Sequence, residues 1–253
     1  MVYINRRKVL SFSCIGLLVI LIFVGCHSRK EVSKISDLAY DENKESGYTV
    51  NIQENSKHVP YLVLTNNYNG NTLLLRKETL DEAKAYSDYI SYYKDSIIDK
   101  YLNNEFYELL GNIEKQTISE SDIIITKRDV IGIEEYNKCI EKIRRKIFLL
   151  SVTEIGYKDL STAMKEGKPL KYFNNPENRI AYKNGKAISY WLRTRDTFSD
   201  STFFAMTYNG KLGAANAYDE SDLRPAFCVD NNLKVKKSEG IVEGKSVYTL
   251  DLE

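Results

Sequence analysis

Arg193 and Arg224 are the side chains best suited to hold an anion, because a guanidinium presents a planar fork of donors that grips a carboxylate or phosphate through two bonds. Trp191 and Tyr218 join them as candidate ligand contacts, since aromatic rings suit sugar or peptide ligands. The same arginines have a structural alternative: each sits at a strand end, pairs with a carboxylate such as Glu154 and locks the C-terminal strands to the core. Asp219, Glu220 and Asp222 form an acidic loop, with Asp196 and Asp200 in another. Clustered loop carboxylates are candidate Ca²⁺ ligands. The spacing is not that of a twelve-residue calcium loop, and solvated turn acids are the other explanation. No other cofactor is indicated. His27 and His58 are the only histidines, and neither has a partner at zinc-ligand spacing. No G-x-S-x-G accompanies His58, and no phosphate-binding G-x-x-x-x-G-K-[ST] occurs. With 35 acids, no carboxylate pair stands out as a hydrolytic couple.

These side chains need a scaffold, and the sequence implies an α+β one, with helices in the first half and an antiparallel, hairpin-rich sheet in the second. Val59–Leu64 and Thr72–Leu75 read as strands joined at Asn69-Gly70, whose residues accept positive φ. Thr79 to Leu110 reads as helical, with Ser91 or Ser96 as a cap and Ile97, Ile98, Tyr101, Leu102, Phe106, Leu109 and Leu110 as the apolar set. Ile123–Thr126 is a short strand. Ile133 to Arg145 reads as a second helix with Tyr136, Ile140 and Ile143 buried, and Ile147–Val152 as a strand covered on both faces. Phe203–Tyr208, Asn209-Gly210 and Lys211–Gly213 make a hairpin, Leu223–Val229 a strand, and Glu243-Gly244 turns a last short pair. Cys139 and Cys228 read as buried and unpaired small hydrophobes.

Arg6-Arg7-Lys8 precede an apolar run from Val9 to Val24, closed by Gly25-Cys26. This is the layout of a secretory signal, and the cysteine after a small residue resembles a bacterial lipoprotein signal, in which the thiol takes a diacylglycerol. That makes Cys26 the lipidation site and anchors the chain on the outer face of the cell membrane. Phe23 stands where such signals usually carry Leu. The alternative is a single uncleaved N-terminal transmembrane helix, since Val9 to Cys26 spans about 27 Å as a helix. Residues 1–25 are then the signal peptide, 26–57 a flexible polar stalk, and 58–253 a single globular α+β domain. Removing Arg6, Arg7 and Lys8 from 36 basic residues leaves 33 against 35 acids, which points away from nucleic acid as a partner.

Four segments occur in order: Tyr101-Leu102-Asn103-Asn104-Glu105-Phe106-Tyr107, Phe148-Leu149-Leu150-Ser151-Val152-Thr153-Glu154, Tyr190-Trp191-Leu192-Arg193-Thr194 and Leu223-Arg224-Pro225-Ala226-Phe227. Together they resemble the bacterial and phage domain of unknown function numbered 6273, over about residues 60–235. In layout that family is similar to the C-type-lectin-like fold of formylglycine-generating enzymes. The resemblance does not carry over their oxidase activity, because Cys228 stands alone in its region. The expected function is an extracytoplasmic binding module that presents loops 157–187, 194–202 and 213–222 to an extracellular glycan or protein. A cell-envelope enzyme using acidic loop residues and a structural envelope protein are the alternatives.

Overall fold

Among the described residues, backbone hydrogen bonds are satisfied mainly between strands: 43% are strand and 15% helical. The computed structural model describes residues 32–43, 48–88, 92–130 and 136–252. Cys26, the leader before it and Ile133 lie outside the described residues. In chain order the strands begin with β1 (Thr49–Glu54), β2 (Lys57–Tyr68), β3 (Asn71–Arg76), β4 (Lys84–Ala85), β5 (Ile118–Ser119) and β6 (Ser121–Thr126). They continue with β7 (Ile140–Arg145), β8 (Ile147–Phe148), β9 (Ala181–Lys183), β10 (Lys186–Ile188), β11 (Tyr190–Arg195) and β12 (Thr202–Met206). The last are β13 (Leu212–Asn216), β14 (Glu220–Ser221), β15 (Ala226–Val229), β16 (Val235–Val242) and β17 (Lys245–Leu250). Helices are short: α1 (Ile97–Asn103), α2 (Glu105–Leu109), α3 (Asn112–Thr117) and α4 (Tyr136–Cys139). The expected α+β class is thereby corrected to a mostly β fold.

The main sheet has eight strands in the order β16-β17-β1-β2-β3-β15-β5, with β8 also pairing with β15. The β1–β17 pair is parallel and the others are antiparallel. At its centre, Tyr61–Leu64, Leu73–Leu75 and Ala226–Val229 are buried at every position. Their unbroken apolar runs therefore belong to a sheet covered on both faces. A three-stranded sheet, β11-β12-β13, and the ribbons β6–β7, β9–β10 and β4–β14 complete the body. Ile98, Leu102 and Phe106 bury one stripe of α1 and α2 in the same core cluster.

Three expectations about local structure hold. Asn69 and Gly70 turn the β2–β3 hairpin at φ 52° and 85°. Glu243 and Gly244 do the same between β16 and β17. Ser96 caps α1, its Oγ accepting from Asp99 N at 3.1 Å. Other expectations are corrected. The helix predicted from Thr79 begins only at Ile97, because the backbone of 79–86 bonds elsewhere: Leu80 N to Leu223 O and Tyr86 N to Ala217 O. Residues 140–145 form β7, pairing six residues deep with β6, so cross-strand bonding overrides a helical spacing that Ile140 and Ile143 also allow in a strand. Of the run 147–152, only Ile147–Phe148 is strand.

The stalk boundary is also corrected. Ile35 and Leu38 are fully buried, Tyr40 N donates to Val63 O, and β1 lies between β17 and β2. Val32–Glu253 forms one compact unit. The sequence signal there is weak because β1 offers only Val50 and Ile52 as apolar residues, and Asn55-Ser56, at φ 45° and 62°, is a less obvious turn than Asn-Gly.

Candidate functional site

Two of the quoted sequence segments meet in a buried ion cluster. β11 carries Arg193 inward, and the turn after β8 carries Glu154; both side chains are wholly buried. Arg193 Nη1 donates to Glu154 Oε2 at 2.7 Å and Nη2 to Oε1 at 2.8 Å. The other donors reach the carbonyls of Ile124, Leu149 and Glu166. All five guanidinium N–H groups are thus engaged. Glu154 is equally saturated, accepting also from Tyr68 Oη at 2.7 Å and Ser151 N at 3.0 Å. Burial opposes the charge on Arg193, but Glu154 and its other neighbours more than offset this and raise its pKa.

A second buried carboxyl, Glu166, inserts from the loop after Met164. It accepts from Thr126 N at 2.8 Å, Thr126 Oγ1 at 2.7 Å and Thr194 Oγ1 at 2.7 Å, and its Oε2 lies 3.7 Å from Arg193 Nε. Burial pushes the Glu166 pKa upward, against the pull of Arg193 and the two threonines. The next residue, Gly167, is at φ 93°, and a Cβ there would sit 2.7 Å from Glu154 Oε1. The glycine lets the loop lie directly on the ion pair.

Above this cluster opens a cleft of about 790 Å³, within the range of ligand sites. Tyr68 and Glu154 line its base. The Tyr68 ring stacks on Phe148 at 5.6 Å, and burial followed by Glu154 raises its phenol well above the usual range. The end of the β2–β3 hairpin contributes Asn66, Asn67 and Asn69; the 167–171 loop contributes Lys168 and Lys171; β6 and β7 contribute Asp122 and Lys142; and Tyr40 adds a ring. Asn69 Nδ2 donates to Asp122 O at 2.6 Å and ties two walls together. The arrangement offers amides, hydroxyls, ammonium groups and an aromatic face over a rigid, electrically compensated floor.

The other candidate residues fall elsewhere. With its donors all occupied, Arg193 cannot clasp a ligand, and its pairing with Glu154 follows the structural alternative. Arg224 is buried and donates to Arg76 O at 3.0 Å and Lys77 O at 3.1 Å, its guanidinium 5.6 Å from the Tyr190 ring centre. It holds backbone carbonyls rather than a carboxylate. Trp191 is buried, its Nε1 donating to Lys84 O at 3.0 Å and its ring edge-on to Tyr86. Arg193, Arg224 and Trp191 are therefore corrected from ligand contacts to core residues. Tyr218 is exposed but does not line the cleft.

The proposed calcium set is split. Asp222 is buried and bound to Lys183 Nζ at 2.7 Å and Thr79 Oγ1 at 2.7 Å. Asp219 accepts from Asn216 N, and Glu220 is exposed on β14. Asp196 accepts from Phe198 N within its own turn. Among the described residues, no group of three or more His, Cys, Asp or Glu is arranged to hold a metal. Cys139 and Cys228 are buried and unpaired, and burial pushes the Cys228 thiol up to about 12.

The sequence pointed to the 157–187 loop as a whole, but not to Glu166 or to the Asn66-Asn67-Tyr68-Asn69 run. The available signal was three amides and a tyrosine crowded at a hairpin end. No curated protein and no solved structure matches the chain. Residues 69–231, more than half of the sequence, match a family model; the matched span takes in Arg193, Glu154, Glu166 and all four quoted segments, and it begins at Asn69, after Asn66, Asn67 and Tyr68 of the cleft. The chain belongs to that family, described as Domain of unknown function (DUF6273).

Proposed function

We propose that this protein is a lipid-anchored extracytoplasmic binding module whose ligand site is the cleft over Glu154 and whose ligand is a glycan. The anchoring half of the proposal rests on the basic and apolar leader ending at Gly25-Cys26. The binding half rests on one observation: side-chain amides of Asn66 and Asn67 and the Tyr40 ring surround a preformed floor. Amides hydrogen-bond sugar hydroxyls in both directions, and a tyrosine ring offers an apolar face to a sugar's C–H surface. Catalysis is the lesser reading, because Glu154, the carboxyl at the base, has its oxygens taken by Arg193, Tyr68 and Ser151. A general acid or base needs a proton or lone pair to offer.

The test is a glycan array probed with the full chain in a mild detergent. We expect retention on a subset of glycans, and loss of that retention when Asn66→Ala and Asn67→Ala are combined. Failure to retain any glycan, with the chain folded by circular dichroism, would sink the proposal.

A further inference from the structure

We infer that the cleft selects acidic oligosaccharides, chains that carry carboxylate or phosphate groups among their hydroxyls. This deepens the glycan reading above and rests on it. Three ammonium groups border the cleft, on Lys142, Lys168 and Lys171. Lys168 and Lys171 are exposed, and neither forms an ion pair among the described residues. The carboxylates of the same lining are Asp122 and Glu154. Glu154 is matched by Arg193 beneath it. Asp122 is shared by Lys142 at 3.6 Å and Arg144 at 3.4 Å. The wall therefore holds more positive charge than it can satisfy internally, while the body beyond the leader carries a slight acidic excess.

That contrast separates this cleft from a neutral sugar site. A binder of neutral glycans gains nothing from two rim lysines that have no carboxylate partner among the described residues. An anionic ligand supplies their partners while its hydroxyls meet Asn66 and Asn67. Lys168 and Lys171 lie on either side of Pro169-Leu170, and Leu170 N is fixed to Glu154 O at 3.0 Å. The backbone at Glu154 thus anchors the segment that carries both lysines at the cleft's edge, where an acidic chain can meet them.

Four probes distinguish the outcomes, measured by calorimetry on the full chain in detergent: trigalacturonate, a glycerol-phosphate oligomer, chitotriose and poly-glutamate. We expect one or both acidic, hydroxyl-bearing probes to bind more tightly than chitotriose. Lys168→Ala with Lys171→Ala should weaken that binding roughly three- to tenfold, the scale of two partly exposed ion pairs. Lys237→Ala, on the distant edge strand β16, should leave it unchanged. Raising salt from about 0.05 M to about 0.5 M should weaken it as well. Which acidic probe binds identifies the anion, and either supports the proposal. Binding of chitotriose with equal strength and no lysine or salt dependence overturns the acidic preference but leaves the glycan reading standing. Poly-glutamate binding alone overturns both in favour of an acidic protein ligand, and binding of none of the four overturns both. Thermal unfolding of each variant checks that a loss is not unfolding.

Discussion

Arg193 and Glu154 show how a charged pair can be safely buried. Each brings its own set of partners, so neither leaves a polar atom unmet. Removing one member strands the other. We expect Arg193→Leu to lower unfolding free energy by about 3–5 kcal/mol in urea denaturation, because it leaves a buried carboxylate without its cation. A loss below about 1 kcal/mol would contradict this account of the core. Glu166 supplies a pH prediction. Burial holds its pKa above the ordinary value of 4.5, so the folded chain keeps this proton where the unfolded chain has released it. The stability contributed by this group is fully present below pH 4.5 and is lost as pH rises through the folded-state pKa. Glu166→Gln keeps the shape and removes the titration. Its stability relative to the parent chain should therefore rise as pH increases above 4.5; a constant difference would show that Glu166 stays ionised in the folded state throughout.

At the scale of elements, the 158–170 segment has no regular structure of its own and depends on a few anchors. Glu166 plugs it in, Thr162 O accepts from Thr197 N, and Gly167 lays it against Glu154. Gly167→Ala combines a positive φ with a Cβ contact that the ion pair cannot easily yield to. We expect a loss of about 1–3 kcal/mol, with increased hydrogen exchange confined mainly to this loop. Unchanged exchange would mean that the loop is held by something other than these contacts. The β6–β7 ribbon makes the complementary point. Its six residue pairs form although Ile140-Glu141-Lys142-Ile143 allows a helix, because β6 offers a waiting row of backbone partners. That choice of strand is also what brings Lys142 to the cleft.

For the molecule as a whole, β1 is the tie between the C-terminal pair β16–β17 and the rest of the main sheet. A fragment of residues 58–253 should therefore lack a cooperative thermal transition, whereas residues 32–253 should unfold in one sharp step. Cooperative unfolding of the shorter fragment would show that β1 adds no essential pairing. The proposed anchor has its own test: Cys26→Ser should abolish incorporation of labelled fatty acid while leaving the melting temperature of the body unchanged. Normal labelling of the variant would rule out Cys26 as the acylated residue.

Sequence alone determined features set by local chemistry or by a contiguous pattern. Asn69-Gly70 and Glu243-Gly244 fold as turns because their residues accept positive φ, Ser96 caps because its hydroxyl reaches a nearby amide, and the resemblance read from four short segments agrees with the family matched over residues 69–231. The Arg193–Glu154 pairing was within reach, as one of two readings. Tertiary structure alone decided what depends on distant partners. It made a strand of residues 140–145, kept residues 79–88 out of a helix, drew Thr49–Glu54 into the sheet, and placed three ligand candidates in the core. The cleft belongs to this second group. Its walls come from residues 40, 66–69, 122, 142 and 167–171, and no run of sequence reveals that such separate segments meet, because side-chain type fixes what a group can bind but only the packed backbone fixes which groups face one another.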